Sequence, residues 1–157
     1  NIYRKKYLEF LKSDFPRIPF PKDYAIFMRL SELGKKLIEI HLLDSPKLNP
    51  SLIKFPKQGS NRVGKTKKEG RDYNSKEKRV IINQEGQYFQ GITPEVWNYY
   101  IGGYQVLDKW LSSHKDTILD LEHIQHFCFI STALLYTIEI QKKIDIIYAE
   151  IEADVIH

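Results

Sequence analysis

Apolar residues recur at helical spacing in four parts of the 157-residue chain. Over residues 3–14, Tyr3, Tyr7, Leu8 and Leu11 share a face with Arg4, Lys5, Lys6, Glu9 and Lys12 between them, which predicts a helix. The run Phe15-Pro-Arg-Ile-Pro-Phe-Pro ends it, because each proline fixes φ and pushes its predecessor extended. Asp23 then stands where a second helix needs an N-cap. Tyr24, Phe27, Met28, Leu30, Leu33, Leu37, Ile40 and Leu43 carry its apolar stripe to about residue 43. Gly34 inside that stripe costs about 1 kcal/mol relative to Ala, so a close packing contact is expected there.

The second helical half starts at Thr93-Pro94-Glu95, with an N-cap, a proline at the first position and an acid in the first turn. Val96, Trp97, Tyr100, Ile101, Tyr104, Leu107, Trp110 and Leu111 extend it as one helix, with a kink or a very close neighbour at Gly102-Gly103. These aromatics read mostly as core. Leu121 to Ile147 forms the last helix behind Asp120 as N-cap, with Phe127, Cys128, Leu134 and Ile147 among its apolar residues. The tail, 148–157, is expected to fray.

Between the halves, residues 44–79 show no period. Pro46, Pro50, Pro56, Gly59, Gly64 and Gly70 are scattered among Ser, Asn and Lys. So long an irregular stretch is either functional or mobile. Leu52, Ile53 and Phe55 are expected to pack locally. Val80–Ile82 and Gln87–Phe89 read as two short strands around a Gly86 turn. The expected fold class is therefore mainly α (α+β): a helical framework around a basic irregular insert with a small β-hairpin. Residues 1–157 are expected to form a single domain, with helical halves 3–43 and 93–149 and a variable insert 44–92.

Composition fits that picture. The chain is 42% hydrophobic and 28% charged, an ordinary globular mix. A chain of this length buries about 68–70% of its unfolded surface without disulfide staples. No apolar run approaches the ~20 residues of a membrane span, and no secretory signal is visible, so a cytoplasmic setting is expected. The first residue is Asn rather than Met, and a fragment of a longer protein is expected. The one cysteine, Cys128, sits among His-Phe-Cys-Phe-Ile and reads as a small buried hydrophobe.

Charge changes the picture more. The net charge is +4, yet residues 57–79 alone carry nine cations against three acids, a net +6. Such density suits a phosphate backbone, where neutralisation releases counterions. Arg62, Lys65, Lys67, Lys68, Arg71, Lys78 and Arg79 are the candidate phosphate contacts. Asn61, Tyr73 and Asn74 are candidate base readers, since Asn pairs bidentately with adenine and Tyr stacks. Arg17 is assigned a structural pairing instead. Other chemistry is thin. His123 and His126 stand three apart on a helix without a third ligand nearby in sequence. Gly59-Ser-Asn-Arg-Val-Gly64-Lys65-Thr66 matches a phosphate-binding loop formally. No buried strand precedes it, and Gly70 would break the helix that must follow. No catalytic residue and no metal ligand is assigned.

Two stretches carry a family resemblance. Phe15-Pro-Arg-Ile-Pro-Phe-Pro with its following helix is one. Glu95-Val-Trp-Asn-Tyr-Tyr-Ile-Gly-Gly-Tyr-Gln-Val-Leu-Asp-Lys-Trp-Leu with Asp120 to His126 behind it is the other. Together they resemble the C-terminal target-recognition region of bacterial single-chain restriction–modification enzymes that carry an adenine-N6 DNA methyltransferase. The resemblance covers residues 3–43 and 88–147. It implies double-stranded DNA as partner, and an N-terminal methyltransferase domain of the same chain that uses S-adenosylmethionine. The methyltransferase motifs, an Asn/Asp-Pro-Pro-aromatic run and a Gly-rich cofactor loop, are absent here. The resemblance therefore implies DNA binding without methylation and without a cofactor in this chain. It transfers no residue roles within 44–87. Two other readings stay open: a helical module that packs on a catalytic domain through its Trp/Tyr-rich face, and a small enzyme using the Gly59–Thr66 loop.

Overall fold

The computed structural model describes residues 2–16 and 20–154. Arg17 lies outside them. The chain divides into two units, one drawn from residues 1–42 and 136–157 and the other spanning Leu43–Leu135.

The first unit contains α1 (Ile2–Lys6), a 3-10 turn at Phe10–Lys12, α2 (Tyr24–His41) and the last part of a long helix. The single helix expected over 3–14 is broken. Neither α1 nor the 3-10 turn buries a residue, so little burial is available to hold one continuous helix. In α2 the Asp23 carboxylate accepts from the Ala25 N–H at 2.8 Å, the expected cap. Its less exposed large apolar positions are Ile26, Leu30, Leu33, Leu37 and Ile40, a narrow seam at alternating spacings of four and three. Tyr24, Phe27 and Met28, expected on the inner stripe, are exposed. Gly34 marks no close contact, since a Cβ there would meet nothing within 4 Å. Arg29 pairs with Glu150 at 3.2 Å, and Lys6 pairs with Glu152.

The second unit is built on a three-stranded antiparallel sheet in the order β1 (Asp72–Asn74), β2 (Arg79–Ile81), β3 (Tyr88–Gln90). Val80 stands between Tyr73 and Phe89 in register. The expected hairpin is present one residue out of phase at each strand, and β1 is an addition to it. Lys54 bridges to Gln90 on the free side of β3, exchanging backbone bonds of 3.1 and 2.7 Å. The supposed irregular insert is thus stitched to the sheet edge.

Thr93 caps α3 (Pro94–Trp97) as expected, accepting from the Val96 N–H at 3.4 Å. The predicted helix over 94–111 does not continue. A two-stranded ribbon of β4 (Tyr100–Ile101) and β5 (Tyr104–Gln105) interrupts it before α4 (Val106–Ser113). Gly102, at φ +59°, provides the left-handed turn that a two-residue hairpin needs. The Gly-Gly pair therefore reverses the chain rather than kinking a helix, and no neighbour approaches either residue within 4 Å of a built Cβ. α5 (Leu121–Asp154) starts at Asp120, which accepts from the His123 N–H at 2.8 Å. It runs past Ile147 because Ile151 is still buried, so residues 148–154 are helical and the fraying expected there is not seen. No described helix is long and apolar enough to cross a membrane.

The core of this unit joins the sheet to α3, α4 and α5. Val80, Ile82, Phe89, Ile92, Val96, Leu107 and Phe127 are fully buried. Phe89 lies 4.6 Å from Phe55 and 4.1 Å from Phe127 between ring centres. Ile53 is buried as expected, whereas Leu52 is exposed. Cys128 is buried too, and desolvation pushes its thiol up to about 11.

A polar knot holds the insert to this core. The Gln87 side chain is wholly buried. Its Oε1 accepts from the Asn61 N–H and the Asn83 amide, both at 2.8 Å. Its Nε2 donates to the Lys57 carbonyl at 3.1 Å and to Asn61 Oδ1 at 2.8 Å. Asn83 also donates to the Arg62 carbonyl at 3.0 Å. Replacing Gln87 by Leu strands four polar groups in a dry site, which is expected to destabilise the chain by about 3 kcal/mol. Urea unfolding of Gln87→Leu checks this, and a loss under about 1 kcal/mol would show the knot to be dispensable.

Candidate nucleic-acid interface

Most backbone donors of the loop 59–66 are already spent within the fold. Six successive N–H groups, from Ser60 to Lys65, are already bound. Ser60 donates to Glu85 Oε2, Asn61 to Gln87 Oε1 and Arg62 to Ser60 Oγ. Val63 donates to the Thr117 carbonyl, Gly64 to the Ile82 carbonyl and Lys65 to Glu69 Oε2. A phosphate-binding loop works by pointing such donors at its ligand. Here they close the fold. The glycines have a packing reason as well: a Cβ at Gly59 would lie 2.5 Å from Glu85 Oε2, and one at Gly64 2.5 Å from the Glu69 carbonyl oxygen. The residues after Lys65 form only a three-residue 3-10 turn, Lys67–Glu69. The reading of this loop as a nucleotide site is thereby overturned.

The candidate cations fall into two groups. Arg62 and Lys65 converge on Asp116, at 2.8 and 3.2 Å, with all three side chains about half exposed. Arg79 donates to Gln90 at 2.7 Å and to Glu77 at 3.1 Å, and its guanidinium lies 4.3 Å from the Tyr88 ring centre. Arg71 is only 11% exposed and donates through Nη2 to Asp108 at 2.8 Å and to Ser112 at 3.0 Å. Lys67, Lys68 and Lys78, together with Lys76, are exposed and form no ion pair among the described residues. Lys67 and Lys68 stand on the 3-10 turn before β1, and Lys76 and Lys78 in the turn from β1 to β2. Lys78 holds that turn at φ +54°, where its carbonyl accepts from Gly91 and Ile92.

The three candidate base readers are engaged within the protein. Asn61 belongs to the Gln87 knot and also donates to the Leu119 carbonyl at 3.2 Å. Asn74 closes the β1–β2 turn through Glu77, at 3.1 Å in each direction. Tyr73 donates to the Ile92 carbonyl at 3.0 Å and stacks on Trp97 at 4.9 Å, and burial pushes its phenol up. A cavity of about 380 Å³ opens beside this pair, lined also by Lys67, Arg71, Asp72 and Asp108. Sequence reading missed the cavity, because its walls come from β1, β2, α3 and α4, which no local pattern connects.

His123 and His126 do not assemble a centre. His123 Nδ1 pairs with Asp120 at 2.7 Å, and His126 Nδ1 accepts from Trp110 at 3.4 Å. No group of three His, Cys, Asp or Glu able to hold a metal occurs among the described residues.

Fold and surface together define an α+β domain that presents lysine-rich turns from a small sheet. The chain belongs to the Type ISP C-terminal specificity domain family, which it matches over residues 1–140. A solved structure with the same fold is that of a nuclease-deletion mutant of the Type ISP restriction-modification enzyme LlaGI, in complex with a DNA substrate mimic. The TM-score is 0.57 and the identity 21% over 90% of this chain, which spans 12% of the length of that one. No curated protein matches the chain.

Asp116 offers a test of the paired cations. Hydrogen bonds from Arg62, then from Lys65, hold its carboxyl below the ordinary 3.8. A folded-state pKa below the unfolded one means that the stability it contributes is complete above about pH 4. That stability is lost as pH falls through the folded value. Carboxyl NMR titration is expected to find Asp116 below 3.8 and to return it toward 3.8 in the Arg62→Gln, Lys65→Gln variant.

Proposed function

We propose that this domain reads DNA sequence for a Type ISP restriction–modification enzyme, and that its lysine-rich turns grip the phosphate backbone. The observation that carries this reading is the set of exposed, unpaired lysines Lys67, Lys68, Lys76 and Lys78 on the two turns flanking β1. Unpaired cations gain most from a polyanion, because no internal pair has to be given up and counterions are released. Arg62 and Lys65 add contacts by exchanging Asp116 for a phosphate. Family membership supports the same reading, as does the DNA-bound state of the LlaGI mutant.

The rest of the enzyme is proposed on the same footing. A methyltransferase domain in the same polypeptide would modify adenine and hold S-adenosylmethionine, with this chain supplying specificity. The first unit favours a protein neighbour of that kind. Phe15 and Phe20 are 86% and 83% exposed, and Tyr24 is nearly as open. Side chains so apolar gain by being covered.

A salt titration of duplex binding tests the grip. The expected slope of log affinity against log salt is about −0.9 for each neutralised phosphate. Replacing Lys67, Lys68, Lys76 and Lys78 by Gln is expected to flatten the slope by about 2 to 4. Salt-independent binding, or an unchanged slope in the variant, would leave only the protein-packing reading.

A further inference from the structure

Arg62 and Lys65 differ from the unpaired lysines in sharing one partner. Arg62 Nη1 donates to Asp116 Oδ1 at 2.8 Å, and Lys65 Nζ lies 3.2 Å from Asp116 Oδ2, so each carboxylate oxygen takes one cation. Arg62 donates to the Asp116 carbonyl as well, at 3.3 Å. All three side chains are about half exposed, so the contact is open to a ligand from solvent. The depressed Asp116 carboxyl agrees with this double engagement. Glu69 and Glu85 line the same groove, but each accepts from a backbone N–H, that of Lys65 and of Ser60. Among the described residues, Asp116 alone pairs with these two cationic side chains.

The backbone, rather than the ion pairs, sets where Asp116 stands. Its N–H donates to the Val63 carbonyl at 2.8 Å, the Val63 N–H donates to the Thr117 carbonyl at 3.0 Å, and Arg62 bridges to Ile118 in antiparallel fashion. Asp116 adopts φ +63°, a left-handed conformation that Asp and Asn accept more readily than other residues with a side chain. A residue fixed in this way presents its carboxylate whether or not the cations are there. The cations are the movable side of the contact. Both ride on long side chains, above a backbone pinned by the Gln87 knot.

A carboxylate and a phosphodiester offer a guanidinium and an ammonium the same thing, two anionic oxygens on one atom. We infer that Asp116 is an internal competitor of the DNA phosphate: it occupies Arg62 and Lys65 in the free chain and yields them only to a duplex that seats a phosphate against both. The inference rests on the DNA-reading function proposed above and adds to it a residue that regulates the grip. The lysines on the turns flanking β1 have no such competitor, so they engage any duplex. Arg62 and Lys65 must each give up an existing pair, and a phosphate that meets only one of them leaves the carboxylate half-satisfied. Loosely held DNA is thereby denied two contacts that well-seated DNA receives. Discrimination of this kind works by weakening the wrong complex.

Binding of a mixed-sequence duplex of about 20 base pairs tests this without knowledge of the recognised site, because loose binding is what the competitor restrains. Four forms of the chain are compared: unaltered, Asp116→Asn, Arg62→Gln with Lys65→Gln, and all three substitutions together. Asn removes the charge and accepts the left-handed backbone, and Asp116→Gly, which suits that backbone too, serves as a second variant. Circular dichroism checks folding. Asp116→Asn and Asp116→Gly are expected to bind about five- to tenfold more tightly near ~0.1 M salt. Their slope of log affinity against log salt is expected to steepen by about 1 to 2. With Arg62 and Lys65 already neutralised, the gain from Asp116→Asn is expected to shrink to about twofold or less. Unchanged affinity and slope in both Asp116 variants overturn the inference and leave the lysine grip standing. A gain of equal size without Arg62 and Lys65 also overturns it, since the effect is then only that of one negative charge removed. Weaker binding by both Asp116 variants overturns it in the other direction, with Asp116 positioning the cations for DNA. Failure of every form to bind at low salt removes the DNA-reading function and the competitor together.

Discussion

One buried carboxamide organises the segment that carries the candidate DNA contacts Arg62 and Lys65. Gln87 has no apolar surface to contribute that Leu would not contribute better. What it supplies is four directed hydrogen bonds at a fully dry position. Those bonds determine where Lys57, Asn61 and Asn83 stand, and through Asn83 they reach the Arg62 carbonyl. Residues 57–65 lack the hydrophobic period that would pin them by burial alone. They are pinned by backbone groups that would otherwise be lost to water. A satisfied network in a low-dielectric site is rigid, because any displacement breaks several bonds together.

This explains which features could be read from the chain. The helix starts were legible because caps are local: Asp23, Thr93 and Asp120 each bond a backbone N–H within three residues. The last helix was legible because its apolar residues persist over many turns. The 94–111 region misled for a physical reason. Tyr100, Ile101 and Tyr104 sit at spacings that also suit a helix, but β-branched and aromatic residues around a positive-φ Gly102 suit a hairpin better. Strand β1 left no signal, since Asp72, Tyr73 and Asn74 become a strand only once Val80 is there to pair with. Gln87 left none either. Nothing in a glutamine's sequence neighbourhood shows that it will be buried with all its bonds met.

The cationic insert shows the same limit for function. Its net charge of +6 was plain in the sequence, but charge counted is not charge available. Arg71 is held by Asp108, Arg79 by Glu77 and Gln90, and Arg62 with Lys65 by Asp116. The partners of Arg71, Arg62 and Lys65 lie 37 or more residues beyond the cations that they bind, so no window of the sequence shows the pairing. What is left unpaired is lysine, on turns. The division has a chemical logic. Arginine's planar fork is suited to fixed, multidentate bonds inside a fold, while lysine's hydrated, flexible ammonium suits contacts that track a phosphate chain.

The two kinds of charge also act at different ranges. Lysines on turns attract a polyanion over about a Debye length and tolerate many registers, so they bind without discriminating. Discrimination needs groups whose position is set before the partner arrives, because ordering them on contact would consume the binding free energy that distinguishes one base from another. In this domain the preset groups are those tied into the sheet and helices: the stacked Tyr73–Trp97 pair and the Arg71 fork held by Asp108 and Ser112. A lysine-for-arginine exchange at position 71 would keep the charge and lose the fork. The same exchange in reverse at Lys67 or Lys68 would change little, because nothing there holds the side chain. On the proposed DNA-reading function, specificity would rest on the groups that the fold fixes and affinity on the cations that it leaves free.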